Sequence, residues 1–474
     1  VESSDEEHRV SDQQADLVVI GGGAAGIAAA YAARWRAQRV VMVQDGPVGG
    51  DCTFTGCVPS KALLAAASDG VDFAAARARV RAGVEKIAAE EAAPVLASKG
   101  IEVVEGRARF VGERTVEVGG RTLTGSHVLI AAGSGPAVPP IDGLGDTGFL
   151  TNETLFELDS LPAHLGIIGG GPIGCEMAQA FAELGADVTV IEAAAQLLPR
   201  DEAAAAAAVR NSLERRGVRV LTDSTVTRAS RAPDGQILVD LSGANAEPVS
   251  VAELLVATGR APATEGLALE AAGVATDARG WIEVDDHLAT SAQGVWAAGD
   301  AVGSLQLTHA AATMAHIAVA NAFGGGPARF RKLTWRPEAV PWVTFTSPEV
   351  GHVGVGLRDA RSVRGARVAR VEMAEVDRAI AVGRTEGFVQ LIAGPRRGLG
   401  RAGGGKLIGA TVVADRAGEM ISELALAVRT KMFVGRLAQT SHPYPSWSMA
   451  ISAAATQFFT DAFTGRSAVP AADL

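Results

Sequence analysis

Two stretches of this chain share one layout. The first, "DLVVIGGGAAGIAAAYAARWRAQRVVMVQD", places an apolar strand (Leu17 to Ile20) before Gly21, Gly23 and Gly26, then an alanine-rich helix, then a second strand ending at Gln44-Asp45. The second, "LGIIGGGPIGCEMAQAFAELGADVTVIE", repeats the layout with Gly169, Gly171 and Gly174 and ends on Glu192. In such a unit the glycines permit a tight turn, a close approach of backbone to a pyrophosphate, and close helix–strand contact. The helix N-terminus faces the phosphates, and an acid ending the second strand accepts from ribose hydroxyls. One glycine triplet is weak evidence. Two, each with a strand before it, a helix after it and an acid at the end of the next strand, dictate two dinucleotide-binding domains in an α/β chain.

Shorter pieces agree. "HVLIAAGSGPAVPP" and "ELLVATGRAP" are apolar strands that end in glycine turns, at Gly133 and Gly259, one after each fingerprint. "GVWAAGDAVG" is another strand, closing on Asp300 at a position suited to a ribityl hydroxyl or a helix N-cap. Gly50 and Ala108 complete the expected lining of the first nucleotide site. From Arg336 onward the text alternates as an antiparallel sheet does, "RRGLGRAGGGK" reads as a long flexible hairpin loop, and "AGEMISELALAVRTKM" as an amphipathic helix. With 474 residues the chain exceeds what one core can serve. The expected division is an acidic disordered tail (1–14), a first nucleotide domain (15–150, completed by 281–335), a second (151–280) inserted into it, and a C-terminal unit (336–474).

A net charge of −10 argues against a nucleic-acid groove. The apolar run from Leu17 to Ala33 follows an acidic segment and holds three successive glycines, which argues against a signal peptide or membrane span. Three cysteines are too few for a secreted disulfide scaffold and point to a reducing, cytoplasmic compartment, or an organelle after removal of a targeting segment.

Two of those cysteines, Cys52 and Cys57, lie together in "GGDCTFTGCVPSK". No histidine or further cysteine flanks them, so a metal site is disfavoured; a catalytic dithiol and a structural disulfide remain. Cys175, inside the second fingerprint's helix, reads as a small packed side chain.

With both fingerprints and this dithiol stretch, the chain resembles the flavin-dependent pyridine nucleotide–disulfide oxidoreductases, the group of glutathione reductase, dihydrolipoamide dehydrogenase and mercuric reductase. The stretch fits that family's GGxCxxxGCxPxK pattern. The resemblance implies two Rossmann-like domains, one for FAD and one for NAD(P)H, plus an α+β dimerisation domain. It also implies a homodimer whose active site is shared between subunits. By analogy Cys52 is the outer thiol that attacks substrate, Cys57 the inner thiol against the flavin, and Lys61 pairs with Glu176 beside it. Nicotinamide reduces flavin, and flavin reduces the disulfide. A helix N-terminus and a nearby lysine both favour the thiolate form.

The chain departs from the family near its C-terminus. Where the pattern is HxHPTxSE, this sequence reads "HPYPSWSM": His442 takes the first histidine, Tyr444 replaces the catalytic histidine and Met449 the glutamate. A phenol, with a reference pKa of about 10 rather than about 6.5, is poorly suited to shuttling protons near neutrality. A tyrosine there resembles the mercuric reductase branch, although the paired C-terminal cysteines of that branch are missing. His442 is a candidate substitute base, and Tyr444-Pro445 a candidate cis peptide. The usual FAD-ribose glutamate is Gln44, with Asp45 adjacent. Glu192 should repel a 2′-phosphate, favouring NADH over NADPH.

These features lead to an FAD-dependent NADH oxidoreductase acting on a soft metal ion or a small electrophilic oxidant, not on glutathione or lipoamide. A dithiol-independent quinone or dioxygen reductase and a flavoprotein redox sensor are the competing expectations.

Overall fold

The computed structural model describes residues 13–324, 332–396, 398, 400, 402–459 and 467–474. Its first sheet grows around the strand Gln13–Ile20, which pairs in parallel with Val40–Gln44 on one side and Arg121–Ile130 on the other. Ile101–Glu105 extends one flank and Val295–Ala297 joins Arg121–Ile130, while two antiparallel strands finish the sheet. Leu17, Val18, Val19 and Ile20 are all buried. Leu17 and Val19 face helices while Val18 and Ile20 face Phe110, Val116, Val118 and Leu267, so both sides of the strand are covered and its text is continuously apolar and not alternating. The strand begins at Gln13, inside the segment expected to be a tail: Gln13 and Gln14 pair with Leu123 and Thr124. Residues 1–12 lie outside the described residues.

The helix that follows, Ala24–Arg34, packs with Thr308–Ala322 against one face of this sheet. Small alanines at the contact (Ala25, Ala29, Ala33, Ala311, Ala315) let the two come close. Such close packing leaves no room for larger side chains, which would cost about 1–3 kcal/mol each.

The second fingerprint builds a four-stranded parallel sheet in the order Arg219–Leu221, Asp187–Ile191, His164–Ile168, Glu253–Val256. Its helix Pro172–Glu183 lies over that sheet, and an antiparallel three-stranded sheet flanks it. The chain leaves the first domain through Ser134–Pro136 and returns through Arg260–Pro262, and these two segments pair with each other. The return is therefore complete well before residue 280, the boundary read from the sequence. Leu267, Leu269, Ala272 and Val274 already belong to the first domain's core.

The C-terminal unit is a six-stranded antiparallel sheet in the order Trp342–Thr344, Glu349–Gly354, Lys406–Ala414, Phe388–Gly394, Arg367–Glu372, Val469–Pro470. The amphipathic segment forms the helix Ala417–Arg429, whose Ala417, Met420, Ile421, Leu424 and Ala427 recur at helical spacing and are buried. The expected hairpin loop joins Phe388–Gly394 to Lys406–Ala414; Arg396 and Gly400 exchange backbone hydrogen bonds within it, and residues 397, 399 and 401 lie outside the described residues. Among the described residues no helix is long and apolar enough to cross a membrane.

Candidate active site

A cavity of about 1440 Å³ runs from the first glycine turn past both cysteines to the second. It exceeds the ~300–1,000 Å³ of a typical single-ligand pocket, as a site for two dinucleotides must. Its walls at the turns are bare backbone. Gly21 has φ +103, and a Cβ there would lie 2.3 Å from Ala131 O. A Cβ on Gly50 would lie 2.8 Å from Gly23 Cα. Gly133, Gly171 and Gly259 line the cavity with free space beyond them, and Gly23 lines it in van der Waals contact with Gly50. Gly26 and Gly174 do not line it. A Cβ on either would lie within 1.9 Å of the carbonyl of Gly21 or Gly169, so they bring helix against strand. These cradles fit a dinucleotide in each fingerprint.

The side chains that close the second strands repeat too. Gln44 Oε1 accepts from Gly22 N–H, and Glu192 Oε2 accepts from Gly170 N–H at 2.6 Å. Gln44 thus takes in the first fingerprint the place that Glu192 takes in the second, whereas Asp45 is exposed and outside the cavity lining. Ala108 is likewise no lining residue; it is buried in the first domain's core, beside Phe110 and Leu267. Both were expected to bind cofactor, and neither lines the cavity. Asp300 does line the cavity. It caps no helix, because its Oδ2 accepts from Ser134 Oγ at 2.8 Å and lies 3.5 Å from Arg260 Nε. Burial raises the Asp300 pKa, opposed by Ser134 and Arg260.

Cys52 sits in the short helix Gly50–Phe54 and Cys57 opens the helix Cys57–Ser68. Their thiols are close enough to influence each other's ionisation, and Cys57 Sγ lies 3.3 Å from Thr308 Oγ1. The pair is polarised. The Cys52 hydrogen bond, followed by the Thr308 hydrogen bond and the Lys61 charge, overcomes burial and brings Cys57 down to about 6. The same bond, burial and the Cys57 charge push Cys52 up. Negative charge is thus favoured on Cys57 and disfavoured on Cys52.

Lys61 Nζ lies 2.7 Å from Glu176 Oε2 and 4.6 Å from the Phe345 ring centroid. Glu176 is only 4% exposed, and its Oε1 accepts from Phe345 N–H at 2.9 Å. Cys175, beside it, is buried and donates to Gly170 O at 3.3 Å.

The C-terminal residues stand apart from this cluster. Tyr444 is 71% exposed, forms a cis peptide with Pro445 and does not line its own chain's cavity. A hydrogen bond to Asp377 and that carboxylate's charge raise its pKa. The His442 side chain is nearly buried: Nε2 lies 3.2 Å from Glu423 Oε2, and Nδ1 lies 3.1 Å from Thr440 O. Glu423, from the helix Ala417–Arg429, is a partner that the sequence did not reveal. Asp51, Asn152, Arg260 and Thr308 also line the cavity and were missed. Only Asp51 and Arg260 had a signal, since both lie inside motifs already singled out. No group of three His, Cys, Asp or Glu able to hold a metal ion occurs among the described residues.

Residues 15–315 match the family described as "Pyridine nucleotide-disulphide oxidoreductase", and residues 340–455 match its dimerisation domain. A mercuric reductase of Streptomyces lividans is 38% identical over 473 residues, covering 94% of this chain and 96% of that protein. A dihydrolipoyl dehydrogenase of Thermus scotoductus is 34% identical over 460 residues, covering 93% and 96%. Among solved structures, the Cu(II) complex of the HOCl-induced flavoprotein disulfide reductase RclA from Escherichia coli superposes with a TM-score of 0.84 at 30% identity, covering 94% of this chain and 99% of that one. LpdA from Mycobacterium tuberculosis gives the same TM-score and identity, covering 94% and 100%.

Proposed function

The chain belongs to the pyridine nucleotide–disulphide oxidoreductases, as an FAD-dependent enzyme of that family, and we propose that its Cys52–Cys57 dithiol delivers electrons from NADH to a thiophilic metal ion or small oxidant. The observation that carries this reading is the polarised thiol pair beside Thr308 and Lys61, in a chain whose Tyr444 and Met449 replace the family's histidine and glutamate. Glutathione and lipoamide need their leaving thiol protonated, assistance worth about 10²–10⁴-fold. A metal ion needs none. The relatives' names point the same way, with mercuric reductases among them and a Cu(II) complex among the similar structures.

FAD would rest on the first fingerprint, Gly50, Gly133 and Asp300, and when bound it supplies the two-electron link between nicotinamide and sulfur. The protein's own groups do the rest. Opening the disulfide takes two electrons and one proton and leaves a Cys57 thiolate and a Cys52 thiol. Lys61 and Thr308 hold the negative charge on Cys57. A divalent two-electron acceptor then takes both electrons as the S–S bond re-forms and the Cys52 proton leaves. Thiolates select soft metal ions. Glu192 at the second nucleotide's ribose favours NADH. Exposed Tyr444, on the dimerisation unit, completes the site of a second copy.

An acceptor panel on FAD-loaded protein tests this, run beside a Cys52→Ser, Cys57→Ser double variant. Metal-ion turnover with NADH that the double variant loses is the expected result. Unchanged turnover in the double variant, or robust lipoamide or glutathione reduction by the native chain, overturns it.

A further inference from the structure

Asp51 immediately precedes Cys52, and its carboxylate reaches both connections of the inserted nucleotide unit. On the outgoing side, Oδ1 accepts from Asn152 Nδ2 at 2.9 Å and from Thr55 Oγ1 at 2.6 Å. Asn152 also donates to Thr55 O at 3.4 Å, and it follows Leu150, whose backbone exchanges hydrogen bonds with Leu254 and Val256 of the nucleotide sheet. On the returning side, Oδ2 lies 2.9 Å from Arg260 Nη2. Arg260 is itself fixed: Nε donates to Ser134 Oγ at 2.6 Å and Nη2 to Ser134 O at 2.8 Å. Neither tether is a loose surface contact, since Asn152 is 8% exposed and the Arg260 side chain 13%. A hydrogen bond to Thr55 alone would serve the local turn. Bonds to residues 101 and 209 positions away in sequence do something more.

We propose that Asp51 is a positioning residue that transmits the placement of the nucleotide unit to the dithiol, moving the Cys52-bearing helix when a ligand shifts that unit. Side chains anchored on both connections can report such a shift, and Asp51 joins them to the residue next to Cys52; the Lys61–Glu176 pair is a second link, to the Cys57 helix, and stays intact in the Asp51 variants. This rests on the reading of Cys52–Cys57 as the working dithiol. Coupling between sites needs an element whose arrangement both sites bias. The helix Gly50–Phe54 is that element, short enough to move as one piece.

The test uses FAD-loaded, chemically reduced protein and ADP-ribose, which occupies a dinucleotide site but carries no hydride. Alkylation rates of Cys52 and Cys57 by iodoacetamide are mapped by mass spectrometry, with and without ADP-ribose at a concentration that calorimetry shows to be saturating. In the native chain ADP-ribose changes at least one rate by about fivefold or more, within the usual range of allosteric coupling. In Asp51→Ala the change falls below about twofold. Asp51→Asn keeps the side-chain volume and one acceptor, folds even if the alanine variant does not, and loses most of the response. No ADP-ribose effect in the native chain overturns the proposal, and so does an equal effect in native and variant proteins, which would mean simple shielding. Turnover is not the readout. Failure of the dithiol reading, seen as unchanged turnover in the double cysteine variant, is thus distinguishable from failure of this one.

Discussion

Lys61 and Glu176 are 115 positions apart in the chain, yet Nζ of one lies 2.7 Å from Oε2 of the other. The pair joins the dithiol helix to the second fingerprint's helix, and Glu176 also holds Phe345 of the C-terminal unit. Glu176→Gln keeps the shape but leaves Lys61 without its counter-charge. Lys61 is 38% exposed, so solvent softens the loss, and we expect a fall in stability on the order of 1 kcal/mol. Thermal melting of native and variant proteins measures it.

The low Cys57 pKa depends on its neighbours. The native thiol should alkylate half-maximally near pH 6, the value to which Cys57 is lowered. Thr308→Val removes a hydrogen bond to the thiolate and Lys61→Met removes a positive charge. Both changes destabilise the anion, so each variant's midpoint moves upward. A plot of alkylation rate against pH checks the direction, and a downward move would contradict it.

In the register proposed here, Tyr444 and Met449 take the places of the acid–base pair of the disulfide reductases. Tyr444→His with Met449→Glu should restore that pair and raise lipoamide or glutathione reduction by about 10²-fold or more. Tyr444→Phe should leave those activities near their low native level. Steady-state kcat/KM for each disulfide decides the matter.

Glu349 is pushed up to about 7, chiefly by burial, with Asp415 and Glu419 adding to the shift and the Gly418 N–H and Arg416 opposing it. A carboxyl with a raised folded pKa binds its proton more tightly folded than unfolded. Its charge therefore costs stability above about pH 7, and the cost fades as pH falls towards the ordinary value of 4.5. Glu349→Gln should stabilise the chain by about 1–3 kcal/mol near pH 8 and by little near pH 4.5. Melting curves at the two pH values test the sign.

Glu192 accepts from Gly170 N–H and Ala194 N–H, which fixes its carboxylate beside the second glycine turn, where the proposed function puts the nucleotide's ribose. NADH should give the higher kcat/KM, and Glu192→Ala should narrow the ratio of NADH to NADPH by about tenfold, the factor that 1.4 kcal/mol of lost repulsion represents. A native preference for NADPH would refute the assignment.

The sequence made visible what backbone geometry demands. Gly21, Gly26, Gly169 and Gly174 sit where any Cβ would collide with a carbonyl, so only glycine satisfies them and the pattern is legible. The nearness of Cys52 and Cys57 was legible for a similar reason, since only a short turn separates the two helices that carry them. Asp45 and Ala108 fall outside the cavity lining: one lies just past the end of the strand Val40–Gln44 and the other in the loop before Arg109–Gly112, where no periodicity says which side a residue faces. The domain boundary at 280 overshot because the return strand Arg260–Pro262 is only three residues long and carries little periodicity. His442 with Glu423 and Asp51 with Arg260 were out of reach. Each pair forms only when separate elements pack, and no local spacing encodes it.

The outgoing strand Ser134–Pro136 and the returning strand Arg260–Pro262 lie side by side. The 123 residues between them (137–259) thus hang from one doorway, as domain insertions with adjacent ends do. An engineer could lift that block out and graft in another dinucleotide reader, changing which reductant is consumed while leaving the sulfur chemistry in place, provided the graft keeps a handhold for Asp51.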